Sequence, residues 1–189
     1  MCDRLLINRC KDYGPLTKLL PTLALIPDDC ILIVIDDMSY QLDAIKHIAE
    51  RQQLELDKAF SYYVYPYSPV GSAGPVIQVP QGADMISMYG GQAKKFTGWF
   101  RRFLASSSLT EDSYAESPCF FTDDLLLGYY FQLEGIALQQ VFPEQRNIYI
   151  PHCAVSPSKF NLNRQKGERS RDVVMARCYE SLLTAGSGV

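Results

Sequence analysis

The chain has no pair of cysteines at CxxC spacing, only two histidines and one tryptophan, and no apolar run near the roughly 20 residues that cross a bilayer. Each absence removes a class of protein. Without paired cysteines neither a zinc knuckle nor a thioredoxin-like site is expected, and the six cysteines (Cys2, Cys10, Cys30, Cys119, Cys153 and Cys178) are scattered along the sequence. A chain of 189 residues does not need disulfides to fold, so a reducing compartment is the expectation. Met1 is followed by Cys2-Asp3-Arg4, which is no signal peptide, and with no spanning segment the expected location is cytoplasmic. A surplus of positive charge is missing too. With 18 Lys and Arg against 21 Asp and Glu, the net charge of -3 supplies no broad phosphate-neutralising surface, which argues against nucleic acid as a partner and leaves only a local basic patch open.

What is present is an ordinary globular composition, 47% apolar and 21% charged, in a length that suits one domain over 1–189. The most informative stretch is Cys30-Ile31-Leu32-Ile33-Val34-Ile35-Asp36-Asp37, an unbroken apolar run that ends on two carboxylates. Lacking alternation, it reads as a strand buried on both faces, with Cys30 packed inside it. In open α/β sheets ligands bind beyond the carboxyl ends of such strands, which places Asp36 and Asp37 at the rim of a crevice. Adjacent carboxylates repel unless a cation neutralises them, and Mg2+ or Mn2+ with substrate phosphates is the common solution. The alternative is that one acid caps the following helix and the other is solvated.

Around this run the pattern alternates. Residues 15–25 have helical spacing with Pro15 suited to a first turn, and 41–56 form an amphipathic helix whose His47 is expected at the surface. Strands are expected at 60–65 and 76–79, joined by the Pro- and Gly-rich loop 66–75, and again from Ala83 into the Gly90-Gly91 turn. A helix over 125–133, stopped by Gly135, starts at Thr122-Asp123-Asp124, acids that capping alone would explain. A strand at 147–150, a polar stretch over 155–171 and a helix at 172–183 complete the chain. His152 reads as packed or exposed, with a third metal ligand as the sharper alternative. Lys159, Arg164, Lys166, Arg169 and Arg171 form a charge run that is either solvated or folds over an anion.

Several of these segments, in their order, resemble a glycosyltransferase family. Asp12-Tyr13-Gly14-Pro15-Leu16-Thr17-Lys18-Leu19-Leu20, then Ile33-Val34-Ile35-Asp36-Asp37 with Tyr40, then Tyr89-Gly90-Gly91, then Cys119-Phe120-Phe121-Thr122-Asp123-Asp124-Leu125 with Tyr130 and Gly135-Ile136 are similar to the motifs of small nucleotide-sugar-dependent enzymes of the glycosyltransferase A fold, found in viruses, bacteria and algae. The likeness covers about residues 8–137. It implies an α/β fold with a mixed, mainly parallel central sheet flanked by helices. It also implies metal-dependent transfer of a sugar from a nucleoside diphosphate sugar to a glycan or small hydroxyl acceptor, with inversion. By the resemblance Asp37 holds Mn2+ or Mg2+, Asp36 lies near the ribose or sugar, and Asp123 or Asp124, with Asp124 favoured, is the general base. Tyr89, Gly90 and Gly91 would lie between donor and acceptor, and Lys18 would reach the diphosphate. An ordinary tight turn and a solvated lysine are the plainer readings of those last two.

The sequence departs from the family twice. Ile35 stands where the first of three acids is often found, and a strand-helix-strand unit precedes DYGPxTK in the family, whereas 11 residues precede Asp12 here. The expectation is therefore a fold incomplete at its N-terminus, either a piece of a longer product or a chain that has lost the nucleotide half of the pocket. From this follows a second function, a non-catalytic domain keeping a carbohydrate-binding or protein-interaction surface. Another metal-dependent phosphate-processing enzyme is what the acids alone would permit.

Overall fold

The computed structural model describes residues 7–36, 40, 41, 43–67, 79–142, 144, 167 and 170–186. Pro15 does start a helical segment, but Pro21 lacks the N–H a continuous helix would use, and the expected helix over 15–25 is instead a 3-10 turn, Leu16–Lys18, followed by the short α1, Leu20–Leu23. The apolar run forms β1, Ile31–Ile35, and α2 spans Ala44–Leu54. Then come β2, Ala59–Tyr67, and β3, Val79–Tyr89, so the expected strand at 76–79 is described only from its last residue. Helix α3, Gly90–Ser106, was not foreseen beyond its first two glycines. Next are α4, Asp123–Leu133, β4, Leu138–Gln140, and α5, Arg171–Gly186. The expected strand at 147–150, together with His152, Lys159, Arg164, Lys166 and Arg169, lies outside the described residues. None of the described helices is long and apolar enough to cross a membrane.

The fold is α/β, and its sheet is mixed but mostly antiparallel, which corrects the expectation of a mainly parallel one. Among the described residues four strands lie in the order β1-β3-β2-β4. The register runs Ile31↔Tyr89 to Ile35↔Met85 between β1 and β3, both β1–β3 and β2–β3 are antiparallel, and only β2–β4 is parallel. The physical reason is adjacency. Helical crossovers leave β1, β2 and β4 pointing the same way, as strand-helix alternation requires, but β3 is inserted in the opposite sense between β1 and β2. The sheet edge also explains a second correction. β1 has a single described neighbour and is not buried on both faces: Val34 is buried, whereas Ile35 is 46% exposed.

Two apolar clusters cover the two sheet faces. The smaller joins Ala44 and Ile48 of α2 to Phe60, Tyr62 and Met85, and the larger joins Val34, Ile86 and Met88 to α1, α3, α4 and α5. On α3 the buried Ala93, Phe96, Phe100 and Phe103 recur at three- and four-residue steps, the spacing of one helix face. Trp99 stacks on Phe103 at 5.8 Å, and Phe96 meets Tyr130 edge-on at 5.2 Å. Helix α4 lies directly on β3. A Cβ at Gly128 would fall 1.9 Å from the Pro80 carbonyl oxygen, so only glycine permits this approach.

Cys119 and Cys178 form a disulfide, which an even number of cysteines permits although a chain of this size does not need one. It ties the loop before α4 to the middle of α5. Such links persist in oxidising compartments.

Candidate functional site

The DYGPLTK segment is a folded device for delivering one side chain. Asp12 Oδ1 accepts hydrogen bonds from the Gly14 N–H at 2.8 Å and the Thr17 hydroxyl at 3.2 Å, while Thr17 Oγ1 accepts one from the Tyr13 N–H at 2.7 Å. The turn this closes needs Gly14 at φ +60°, and its bare Cα lets the Phe120 carbonyl oxygen approach to 2.5 Å of where a Cβ would be. Leu16 and Leu19 are fully buried on one side of the 3-10 turn. Lys18 is thereby turned the other way, toward the end of β1.

There its ammonium bridges two acids. Lys18 Nζ pairs with Asp36 and, at 3.0 Å, with Asp123 Oδ2. Asp36 is fixed by its backbone N–H, which donates to the Asp84 carbonyl oxygen at 2.9 Å. It is not the cap of the helix that follows, because α2 starts after Asp43. Asp123 and Asp124 open α4, where the partial positive charge of a helix N-terminus favours acids. Capping alone does not account for them, since Asp123 reaches out to Lys18. Thr122, the residue ahead of them, donates its hydroxyl to the Cys119 carbonyl oxygen at 3.1 Å rather than capping the helix.

The charges in this cluster are perturbed in a consistent direction. Burial works against the Lys18 ammonium, but Asp123 and Asp36 beside it outweigh that and hold its pKa above the usual lysine value. For Asp123, burial lifts the carboxyl pKa above the ordinary range against the pull of Lys18. Asp124 is pushed well above that range, first by burial, then by Asp123 and Asp36. Lys18 and Arg171, at the start of α5, pull it the other way. A carboxylate whose pKa is raised in this way is a stronger base than an ordinary aspartate.

Asp84 is the member that sequence reasoning missed. Between Ser61 and Tyr63 the register on β3 jumps from Ile86 to Ala83, and the bulge leaves Asp84 at φ 72°, a left-handed backbone that Asp tolerates better than most residues. Its carbonyl oxygen also accepts the Tyr40 hydroxyl at 2.6 Å. The signal was there in principle, as an acid directly after Gly82-Ala83 and before an apolar strand half. Lys18, Asp36, Asp84, Asp123 and Asp124 line a single small space of about 10 Å³ between β1, β3 and α4.

The remaining sequence candidates divide. Tyr89, Gly90 and Gly91 are not part of this cluster, because Tyr89 pairs with Ile31 at the opposite end of β1, about 16 Å from Asp36 at the usual rise per strand residue. Gly90 is glycine for packing: a Cβ there would lie 2.6 Å from the Pro27 carbonyl oxygen. Tyr89 instead borders a groove of about 510 Å³ with Ile31, Ile33 and Leu56. Asp37, the expected metal ligand, lies outside the described residues. Among the described residues no three His, Cys, Asp or Glu side chains are grouped to hold a metal, and the Asp36 carboxylate is already engaged by Lys18. His47 is partly exposed on α2, edge-on to Phe142 at 5.4 Å and 3.9 Å from Asp43, and is not among the residues that line the acidic space. No protein-family model, no curated protein and no solved structure matches this chain.

Proposed function

We propose that the chain is a glycosyltransferase-type domain that moves a sugar from a nucleoside diphosphate sugar to a hydroxyl acceptor. The observation that carries this reading is convergence: Lys18 of DYGPLTK, Asp36 of the strand end and Asp123 and Asp124 of FFTDDL, far apart in sequence, meet around one space. Asp124 is the base in this reading. As the acceptor oxygen bonds to the anomeric carbon, its proton passes to the Asp124 carboxylate, and the bond from carbon to the diphosphate oxygen breaks with its electron pair leaving on the diphosphate. Attack opposite the departing group inverts the anomeric centre. The described acids outnumber Lys18, so an approaching diphosphate needs further positive charge, which is the role the resemblance gives to Mn2+ or Mg2+ at Asp37.

One observation favours the second reading, a non-catalytic carbohydrate-binding or protein-interaction domain. A space of about 10 Å³ admits about one water and no sugar. The two readings part on calorimetric titration of UDP and GDP, with and without Mn2+, into wild type and Asp37→Ala. Metal-dependent binding that the substitution removes supports the enzyme. Absence of nucleotide binding in wild type refutes it and leaves the interaction domain. Asp124→Asn is then expected to lower transfer at least a hundredfold.

A further inference from the structure

Lys18 occupies the place between carboxylates where an ion would otherwise be needed. Asp36 comes from the end of β1 and Asp123 from the first turn of α4, and the two are held close by separate backbones: Asp36 through the Asp84 carbonyl, Asp123 through its helix. Asp84 and Asp124 face the same space. Without a cation, this arrangement sets carboxyl groups against one another in a partly buried place, where Asp36 keeps 30% and Asp123 12% side-chain exposure, an arrangement proteins avoid. Among the described residues Lys18 is the side chain whose ammonium contacts two of these acids. Arg171 acts on Asp124 from α5.

We propose that Lys18 is the built-in counter-cation of the Asp36–Asp123 pair, and that a divalent ion gains these carboxylates only by displacing it. The geometry makes the two mutually exclusive. A divalent ion of the magnesium type takes oxygen ligands at about 2.1 Å and keeps several waters, and the space of about 10 Å³ beside the ammonium holds no such shell. Displacement is mechanically simple. Leu16 and Leu19 anchor the turn in the core, so the backbone stays while the four-carbon stem of Lys18 swings. A freed ammonium on that stem would still sit beside the space, where it can meet an anion brought in with the ion. The site thus exchanges an internal cation for an external one, and its apparent metal affinity is set by how tightly Lys18 is held.

This inference rests on the glycosyltransferase reading only for the choice of ion, and it is tested without nucleotide. Mn2+ is titrated into the full chain while the free ion is followed by electron paramagnetic resonance, for wild type, Lys18→Met and Lys18→Met with Asp36→Asn. Lys18→Met is expected to bind Mn2+ at least tenfold more tightly than wild type, and the added Asp36→Asn to abolish the gain. A folded Lys18→Met with wild-type affinity overturns the proposal. Should Lys18→Met not fold, amine acetylation of Lys18 followed by mass spectrometry answers the same question in chains that keep the lysine. Asp36→Asn is expected to raise the Lys18 labelling rate severalfold over wild type, and equal rates would refute the pairing. A chain that gains Mn2+ on loss of Lys18 yet binds no UDP or GDP would sink the proposed enzyme while leaving the counter-cation in place.

Discussion

Thr122 Oγ1 lies 3.1 Å from Cys178 Sγ, so the residue that starts the helix of the acid pair touches the disulfide that pins α5. The link closes a loop of 59 residues in sequence separation, and the chain-entropy account gives such a loop about 4 kcal/mol at most. Cys119→Ser with Cys178→Ser is expected to lower the melting temperature by roughly 10 °C for a chain of this size. Scanning calorimetry of the double variant beside reduced and oxidised wild type checks this. Reduced wild type melting with the oxidised form would show that the two cysteines are not joined.

Asp124 gives the fold a pH dependence of definite sign. Its carboxyl pKa is raised by burial, then by Asp123 and Asp36, so the folded chain holds that proton more tightly than the unfolded chain. A raised acid adds stability that is full below its unfolded value and is lost as pH climbs through the folded one. The loss therefore begins near pH 4, the ordinary aspartate value, and runs upward. Asp124→Asn, which cannot ionise, is expected to match wild type near pH 3.5 and exceed it in stability at pH 7. Urea unfolding at both pH values reads the difference, and a variant that loses stability on going to pH 7 as wild type does would refute the assignment.

How far the sequence could be read depended on whether a feature was local. β1, α2 and α4 were legible from runs and periodicity over a few residues, and the Gly135 stop is confirmed by its φ of +66°. The common direction of β1 and β2 followed from the mainly parallel sheet that the resemblance implies. Their separation by β3 did not, because strand order is decided by long-range packing that no local pattern records. In the site, Lys18 was read as a diphosphate contact or a solvated residue, and neither reading anticipated a lysine already paired with Asp36 and Asp123. Gly90 and Gly91 look alike for a ligand turn and for close helix-loop contact. Asp84 needed the bulge, which exists only once β2 and β3 are in register.

That bulge supplies its own prediction. At φ 72° the backbone of Asp84 suits Asn nearly as well as Asp, whereas a β-branched side chain is strained there. Asp84→Asn is expected to unfold within about 0.5 kcal/mol of wild type, and Asp84→Val to lose about 2 kcal/mol. Since the Asp84 carbonyl holds both the Asp36 N–H and the Tyr40 hydroxyl, the Val variant should also loosen the end of β1. Amide exchange at Asp36 reports this directly. Equal exchange in wild type and Asp84→Val would mean that the bulge does not position the acid.

Gly14 joins the two most distinctive motifs, and its replacement should separate them. A Cβ there would stand 2.5 Å from the Phe120 carbonyl oxygen, a backbone atom that cannot rotate aside, and the residue also holds φ +60°. The left-handed conformation costs an ordinary residue about 1 kcal/mol and the steric overlap adds about 2 kcal/mol, so Gly14→Ala is expected to destabilise by roughly 3 kcal/mol. Relief of the overlap moves the DYGPLTK turn away from the Phe120-Phe121-Thr122 segment, carrying Lys18 away from Asp123. The amine of Lys18 in Gly14→Ala should then acetylate severalfold faster than in wild type under conditions where both are folded. Pro15→Ala, which leaves the Gly14 contact intact, is the control and should keep the wild-type rate. Faster labelling in the control as well would show that general loosening of the turn, and not its contact with Phe120, sets the Lys18–Asp123 pair.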